Sequence, residues 1–254
     1  MIIANWKMNG TRQSVTAWIE AVSKNINVNG EKPCIFCPPT CYLEHARKLI
    51  VENDNYIKLG SQIINHNIAD DSLTGGISAN MLRDLGVEYV LIGHSEQRAL
   101  LIENNTVIAN KIEKALNENL TIILCIGEDL NTKKNNTTYA FLKEQLDVLS
   151  QLNLKNEAHL GSIKIAYEPI WAIGSGMNAE KEYIEDTHAF INESLKDLFG
   201  HDKEDFYFPV LYGGSVKLEN CEDISSSNNV DGLLIGGASL DPVSYTHLTL
   251  PTKA

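Results

Sequence analysis

Eight short apolar runs, rich in β-branched residues and separated by stretches of helical periodicity, constrain this chain more than any other feature. The runs fall at 2–6, 34–37, 56–61, 89–93, 121–126, 163–167, 207–212 and 232–235. Helices are predicted near 14–26, 40–52, 78–85, 104–118, 138–152, 180–198 and 217–226. Val15, Trp18, Ile19 and Val22 mark the inner face of the first. Repeating strand–helix units of about 30 residues in a chain of 254 predict a (β/α)8 barrel. A doubly wound open sheet competes, but no Gly-x-Gly-x-x-Gly follows the first run. No Pro/Gly/Ser-rich linker or composition break divides the chain, so one domain is expected over 1–242. The polar segment 131–138 reads as a loop ahead of a helix.

A net charge of −12 argues against nucleic acid as a partner, although a few local donors still suffice to hold a small anion. No run approaches the roughly 20 apolar residues that cross a bilayer. The N-terminus shows no basic leader followed by an apolar stretch, so a cytoplasmic protein without membrane contact is expected. Five cysteines, an odd number over a large chain, fit reduced thiols better than a disulfide framework. Cys34, Cys37 and Cys41 could be read as metal ligands. No close His completes a set, so core thiols are the preferred reading and no cofactor or metal is expected.

In a barrel of this kind the strand ends on one face converge, and active sites form there. The first run ends in Asn5-Trp-Lys7, the fourth in Gly93-His94-Ser95-Glu96 and the sixth in Glu168. The seventh leads into Gly213-Gly-Ser215 and the eighth into Gly236-Gly237. Glu168 opens a segment, Glu-Pro-Ile-Trp-Ala-Ile-Gly-Ser-Gly, stiffened by proline at one end and loosened by glycines at the other. Its apolar Trp171 and Ile173 suggest a lid that keeps water from a carboxylate; a buried turn with a salt-bridged Glu is the plainer alternative. The two Gly-Gly turns, each before a helix-like stretch, suggest backbone N–H groups cradling a phosphate. Ser95 is a plausible N-cap of a short helix, whose N-terminus would keep His94 neutral and hydrogen-bonding. A neutral imidazole opposite a sequestered carboxylate suits proton abstraction beside a carbonyl. Glu168 would take the proton, His94 polarise the oxygen, and Lys7 offset the enediolate charge.

With these residues in place, the chain resembles the triosephosphate isomerase family. The motifs are Asn-Trp-Lys-Met-Asn-Gly at 5–10, Gly-His-Ser-Glu at 93–96, Cys-Ile-Gly-Glu at 125–128, Ala-Tyr-Glu-Pro-Ile-Trp-Ala-Ile-Gly at 166–174, Tyr-Gly-Gly-Ser-Val at 212–216 and Gly-Gly-Ala-Ser-Leu at 236–240. The resemblance implies a TIM barrel that interconverts dihydroxyacetone phosphate and D-glyceraldehyde 3-phosphate in glycolysis and gluconeogenesis, without a cofactor. It implies Glu168 as base, His94 as electrophile, and Asn5 and Lys7 on the substrate, with Glu96 in support. Phosphate would lie on the backbone N–H groups of Gly174, Ser215, Gly236 and Gly237. It also implies a structural Glu103 and a homodimer in which loop 62–77 carries Thr74 to the partner.

Three departures from the family pattern stand out. Gly76 and Gln97 occupy positions that commonly hold an Glu/Arg ion pair, so a weaker dimer is expected. Met177 replaces a frequent Lys at the lid's trailing hinge. After Leu240 the chain reads Val-Ser-Tyr-Thr-His-Leu-Thr-Leu-Pro-Thr over 243–252, with β-leaning composition and no helical pattern. The string resembles a translated sequencing adapter. Residues 243–254 are therefore expected to be a non-family tail, an assembly artefact that truncates or replaces the final helix.

Two other readings stay open on the sequence. Another phosphate-binding barrel enzyme, such as an aldolase, would need a Schiff-base lysine, and Lys164 sits four residues short of Glu168, away from the catalytic end. A truncated, catalytically silent barrel acting as a binding or structural module is the remaining alternative.

Overall fold

The computed structural model describes residues 1–25, 33–53, 56–66, 73–152, 157–199 and 207–249. Residues 67–72 of the expected partner loop and 250–254 of the tail lie outside the described residues. Eight parallel strands close into a barrel: β1 (Ile2–Asn5), β2 (Cys34–Cys37), β3 (Ile57–Ser61), β4 (Tyr89–Ile92), β5 (Thr121–Ile126), β6 (Ile163–Tyr167), β7 (Val210–Tyr212) and β8 (Gly232–Ile235). Ile2 pairs with Cys34 on one side and Leu233 on the other, which closes the ring. The open-sheet alternative is excluded by that closure.

The alternation of side chains along each strand divides the core in two. Ile3, Ile35, Leu91, Ile123, Ala166, Leu211 and Leu234 fill the barrel interior. Their neighbours Ile2, Ala4, Phe36, Ile122, Leu124 and Ile165 point outward against the helices. Runs that are apolar at most positions therefore satisfy two cores, as expected of strands covered on both faces, with Lys58 and Lys164 among the exceptions.

The strand ends are placed with little freedom. The N–H of Glu168 donates to the Ile126 carbonyl at 2.7 Å, and that of Gly213 donates to the Tyr167 carbonyl at 2.7 Å. At Gly127 an added Cβ would lie 1.8 Å from the Glu168 carbonyl oxygen, so only glycine permits this approach of β5 to β6.

Two sequence expectations are corrected here. The segment 131–138, read as a loop, overlaps the short helix Leu130–Lys134, because the Asp129 side chain accepts from the Thr132 N–H at 2.7 Å. The tail, read as non-helical, forms the helix Pro242–Thr249. Asp241 receives the Ser244 N–H at 2.8 Å and Pro242 follows it, an Asp-Pro start whose capping outweighs the β-leaning residues behind it. Tyr245 is fully buried against Trp18, with ring centroids 5.0 Å apart, and its hydroxyl donates to the Ile2 carbonyl at 3.1 Å. The eight-residue helix thus packs beside Arg12–Asn25 and reaches β1 and β2 through Tyr245, whose hydroxyl also meets Cys34 Sγ at 3.2 Å.

Candidate active site

An open cleft at the C-terminal mouth of the barrel is lined by Asn5, Lys7, His94 and Glu96, with Leu91 at its floor. Asn5 closes β1 and is buried; its Oδ1 accepts the Lys7 N–H at 3.1 Å. Lys7 itself stands at φ 52°, a backbone region that costs an L-residue on the order of 1–2 kcal/mol. Gln62 holds it there, donating to the Lys7 carbonyl at 3.0 Å and the Cys37 carbonyl at 2.8 Å. The Lys7 ammonium reaches Glu96 Oε1 at 2.7 Å. Both partners are substantially exposed, so this pair orients the lysine more than it stabilises the fold.

Glu168 lies behind the cleft lining and meets His94 there, His94 Nε2 lying 3.0 Å from Glu168 Oε1. Both are buried, at 5% and 3% exposure. The helix Ser95–Leu100 begins after His94, and it is His94, not Ser95, that caps it: Nδ1 accepts the Glu96 N–H at 3.3 Å. With Nδ1 receiving a proton donor, the proton of a neutral ring sits on Nε2 and faces Glu168. Two influences oppose each other at this ring. Burial disfavours the imidazolium, but the charge and hydrogen bond of Glu168 outweigh it and raise the pKa above the ordinary histidine value. This rise runs against the neutrality expected from the sequence, which only the capping hydrogen bond at Nδ1 favours. Ser95 contributes its N–H to Glu168 Oε2 at 3.4 Å. Beneath Glu168, burial followed by the Glu168 charge pushes the Cys125 thiol well up, so it stays protonated.

The glycine turns are less uniform than their sequences. Gly236 precedes the 3-10 turn Gly237–Leu240, and a Cβ there would lie 3.7 Å from Lys7 Cε, which places this turn beside the lysine. After β7, however, the helix spans only Cys221–Ser225, so Gly213–Gly214–Ser215 do not run into a helix N-terminus as their pattern suggests. Ser215 instead accepts from the Asn220 side chain through its carbonyl at 3.0 Å. Gly174, at φ 65°, lies at the exposed tip of the lid. Thr74 sits on an exposed turn away from these groups. Gln97 donates to the Gln62 carbonyl at 2.8 Å, and Gly76 bonds back to Leu73, so nothing joins positions 76 and 97.

Gln62 and Glu128 were not singled out for the site from their surroundings in sequence. Glu128, fully buried, accepts from Trp171 Nε1 at 2.7 Å, from the Tyr183 hydroxyl at 2.8 Å and from the Tyr167 hydroxyl at 3.1 Å. Its only sequence signal was the Cys-Ile-Gly-Glu motif. Glu103 pairs with Lys111 at 2.5 Å, both buried outside the cleft. Lys164 bonds to the Gly161 carbonyl at the opposite end of the barrel, which removes the Schiff-base reading. Among the described residues no helix is long and apolar enough to cross a membrane.

Chemically, a buried carboxylate beside an imidazole N–H can take a proton from carbon while the N–H binds the neighbouring oxygen. Comparison with known proteins bears on which carbon. The family model described as triosephosphate isomerase matches residues 1–250. A triosephosphate isomerase of Thermodesulfovibrio yellowstonii is 38% identical over 97% of both chains. One from Hydrogenovibrio crunogenus is 36% identical over 94% of this chain and 92% of its own. That of Chlamydia trachomatis serovar L2 is 37% identical over 96% of this chain and 86% of its own. A closed eight-stranded barrel, the paired Glu168 and His94 at its mouth and a match over nearly the whole length agree: the chain belongs to the triosephosphate isomerase family.

Proposed function

We propose that this protein interconverts dihydroxyacetone phosphate and D-glyceraldehyde 3-phosphate through an enediolate, with Glu168 as base and His94 as electrophile. The observation that carries the reading is the 3.0 Å approach of His94 Nε2 to Glu168 Oε1 with both side chains buried. This pairing is the one for which triosephosphate isomerases are themselves the standard example, so the chemistry is the family's own. Glu168 removes a proton from the carbon beside the carbonyl, and the His94 N–H stabilises the oxygen as charge develops there. Lys7 offsets that charge, kept in place by Glu96, and Asn5 orients the substrate. Backbone N–H groups of Gly174, Ser215, Gly236 and Gly237 take the phosphate once the lid folds over, excluding water.

A homodimer working in the cytoplasm belongs to the same proposal, with Thr74 approaching the second subunit. The exposed apolar side chains of Met8, Leu73 and Leu100 support an association surface. Family membership does not favour the silent module. A coupled isomerase assay on purified chain decides the matter. Turnover of triose phosphate is expected, and Glu168→Asp should slow it at least about a hundredfold in a protein that still melts normally. A folded dimer without turnover overturns the proposal.

A further inference from the structure

The lid between β6 and the helix Lys181–Phe199 is anchored at both ends by one small polar cluster. On the leading limb Trp171, three residues past Glu168, is buried and donates to Glu128. On the trailing side Tyr183, in the first turn of the helix, donates to the same carboxylate oxygen. The two rings meet edge to face at 5.7 Å. Above them stands Lys133, its ammonium 3.2 Å from the Trp171 ring centroid and 4.3 Å from that of Tyr183. It is held there by the helix Leu130–Lys134, which belongs to the β5 side and not to the lid.

Within the lid, Ser175 Oγ donates to the Trp171 carbonyl at 2.7 Å and accepts the Met177 N–H at 3.2 Å. The tip is thereby tied to its own leading limb. How much of the chain must be ordered on closing is then decided at the two ends, where Lys133 touches both. We propose that Lys133 is a positioning residue for the lid: its cation, shared between the Trp171 and Tyr183 rings, pre-orders both hinges so that closing over a phosphate costs less entropy. The inference rests on the proposed isomerase reading for its substrate, and on geometry alone for the contact.

Lys133→Met keeps an unbranched stem and removes the charge, while Lys133→Arg keeps a cation that stacks on aromatic faces. Inorganic phosphate is the probe, titrated into the full chain with the heat of binding as readout, since Trp6 and Trp18 both donate to the Ser239 carbonyl in the Gly237–Leu240 turn and would add their own response to tryptophan emission. Lys133→Met should raise the phosphate Kd, and the KM for triose phosphate in parallel, about two- to fivefold, the range an exposed cation–π contact supports. Lys133→Arg should return both to within about a factor of two. Melting temperatures should be nearly equal, because the side chain is only half-buried. Unchanged phosphate affinity in Lys133→Met, an equal loss in Lys133→Arg, or a wild-type chain that does not respond to phosphate overturns the proposal. Lys133→Gln replaces the Met variant, with the same expectation, if that variant precipitates. A wild-type chain that binds phosphate but does not isomerise triose phosphate overturns the functional reading instead, and the Lys133 comparison still stands on phosphate.

Discussion

Gly213→Ala is the substitution that most directly separates the placement of Glu168 from the stability of the barrel. A Cβ on Gly213 would lie 2.8 Å from Glu168 Cγ, 3.4 Å from the Tyr167 carbonyl oxygen and 3.5 Å from Leu234 Cδ2. The last two are close to tolerable, but the first is not: carbon atoms rest at about 3.5–4.0 Å. Something must move by about 1 Å. The Glu168 backbone cannot yield, since its N–H is held by Ile126 and its carbonyl is packed against Gly127. The carboxylate arm therefore swings, and the 3.0 Å approach to His94 is lost. A misplacement of about 1 Å at a reacting group costs on the order of a hundredfold, or about 2.7 kcal/mol of transition-state stabilisation. In the coupled triose phosphate assay kcat should fall about 30- to 100-fold with KM changed less than about threefold. Overpacking should cost about 1–3 kcal/mol of stability, so the protein stays folded. An unchanged kcat in a folded variant, or a loss confined to KM, would refute the reasoning that Gly213 keeps the space in which Glu168 works.

Other outcomes follow from the packing and the charges. Tyr245→Ala should cost about 3–5 kcal/mol, as for other buried aromatic side chains, and lower the melting temperature by roughly 6–20 °C; a shift below about 2 °C would mean the tail helix does not brace β1 and β2. Replacing 243–254 with a longer amphipathic helix should raise the melting temperature above that of the present chain, and no rise would count against this helix as a weak point. His188, buried between Tyr167 and Tyr212, has its pKa pushed down to about 4 by burial. Between that value and its ordinary 6.5 the unfolded chain binds the proton that the folded one refuses, so stability falls as pH drops through this window, by about 3 kcal/mol in all. His188→Phe should flatten the urea midpoint between pH 6.5 and 4.5, and an equally steep profile would assign the acid sensitivity elsewhere. Ile102, exposed at φ 56°, holds a β-branched side chain in the left-handed region. Ile102→Gly should stabilise the fold by about 0.5–1 kcal/mol, read as a higher urea midpoint with unchanged slope.

How much was legible beforehand depended on how local the determining physics was. Strand runs are apolar at most positions because both faces are largely covered, so all eight are visible and the barrel follows from their spacing. Asn5, Lys7, His94 and Glu168 were readable as residues that end such runs. The tail helix was not, because β-leaning residues hid an Asp-Pro cap, and the burial of Tyr245 against Trp18 and Ile2 is a contact 227 to 243 residues away in sequence. Periodicity likewise overstated the helix after β7 and missed the one at Leu130–Lys134, where a single side-chain cap organises too few residues to show a period.

Residue order alone thus determined the class of fold, the identity of the chemical groups and the strand from which each is delivered, because alternation and turn chemistry act over neighbouring residues. Only the closed barrel decided which of them meet. It set Nε2 of His94 against Glu168, put the Gly236 turn beside Lys7, and carried Lys133 onto the two hinges of a lid to which it does not belong. Distances of this kind arise from the curvature and register of eight strands at once, and no local window of sequence contains them.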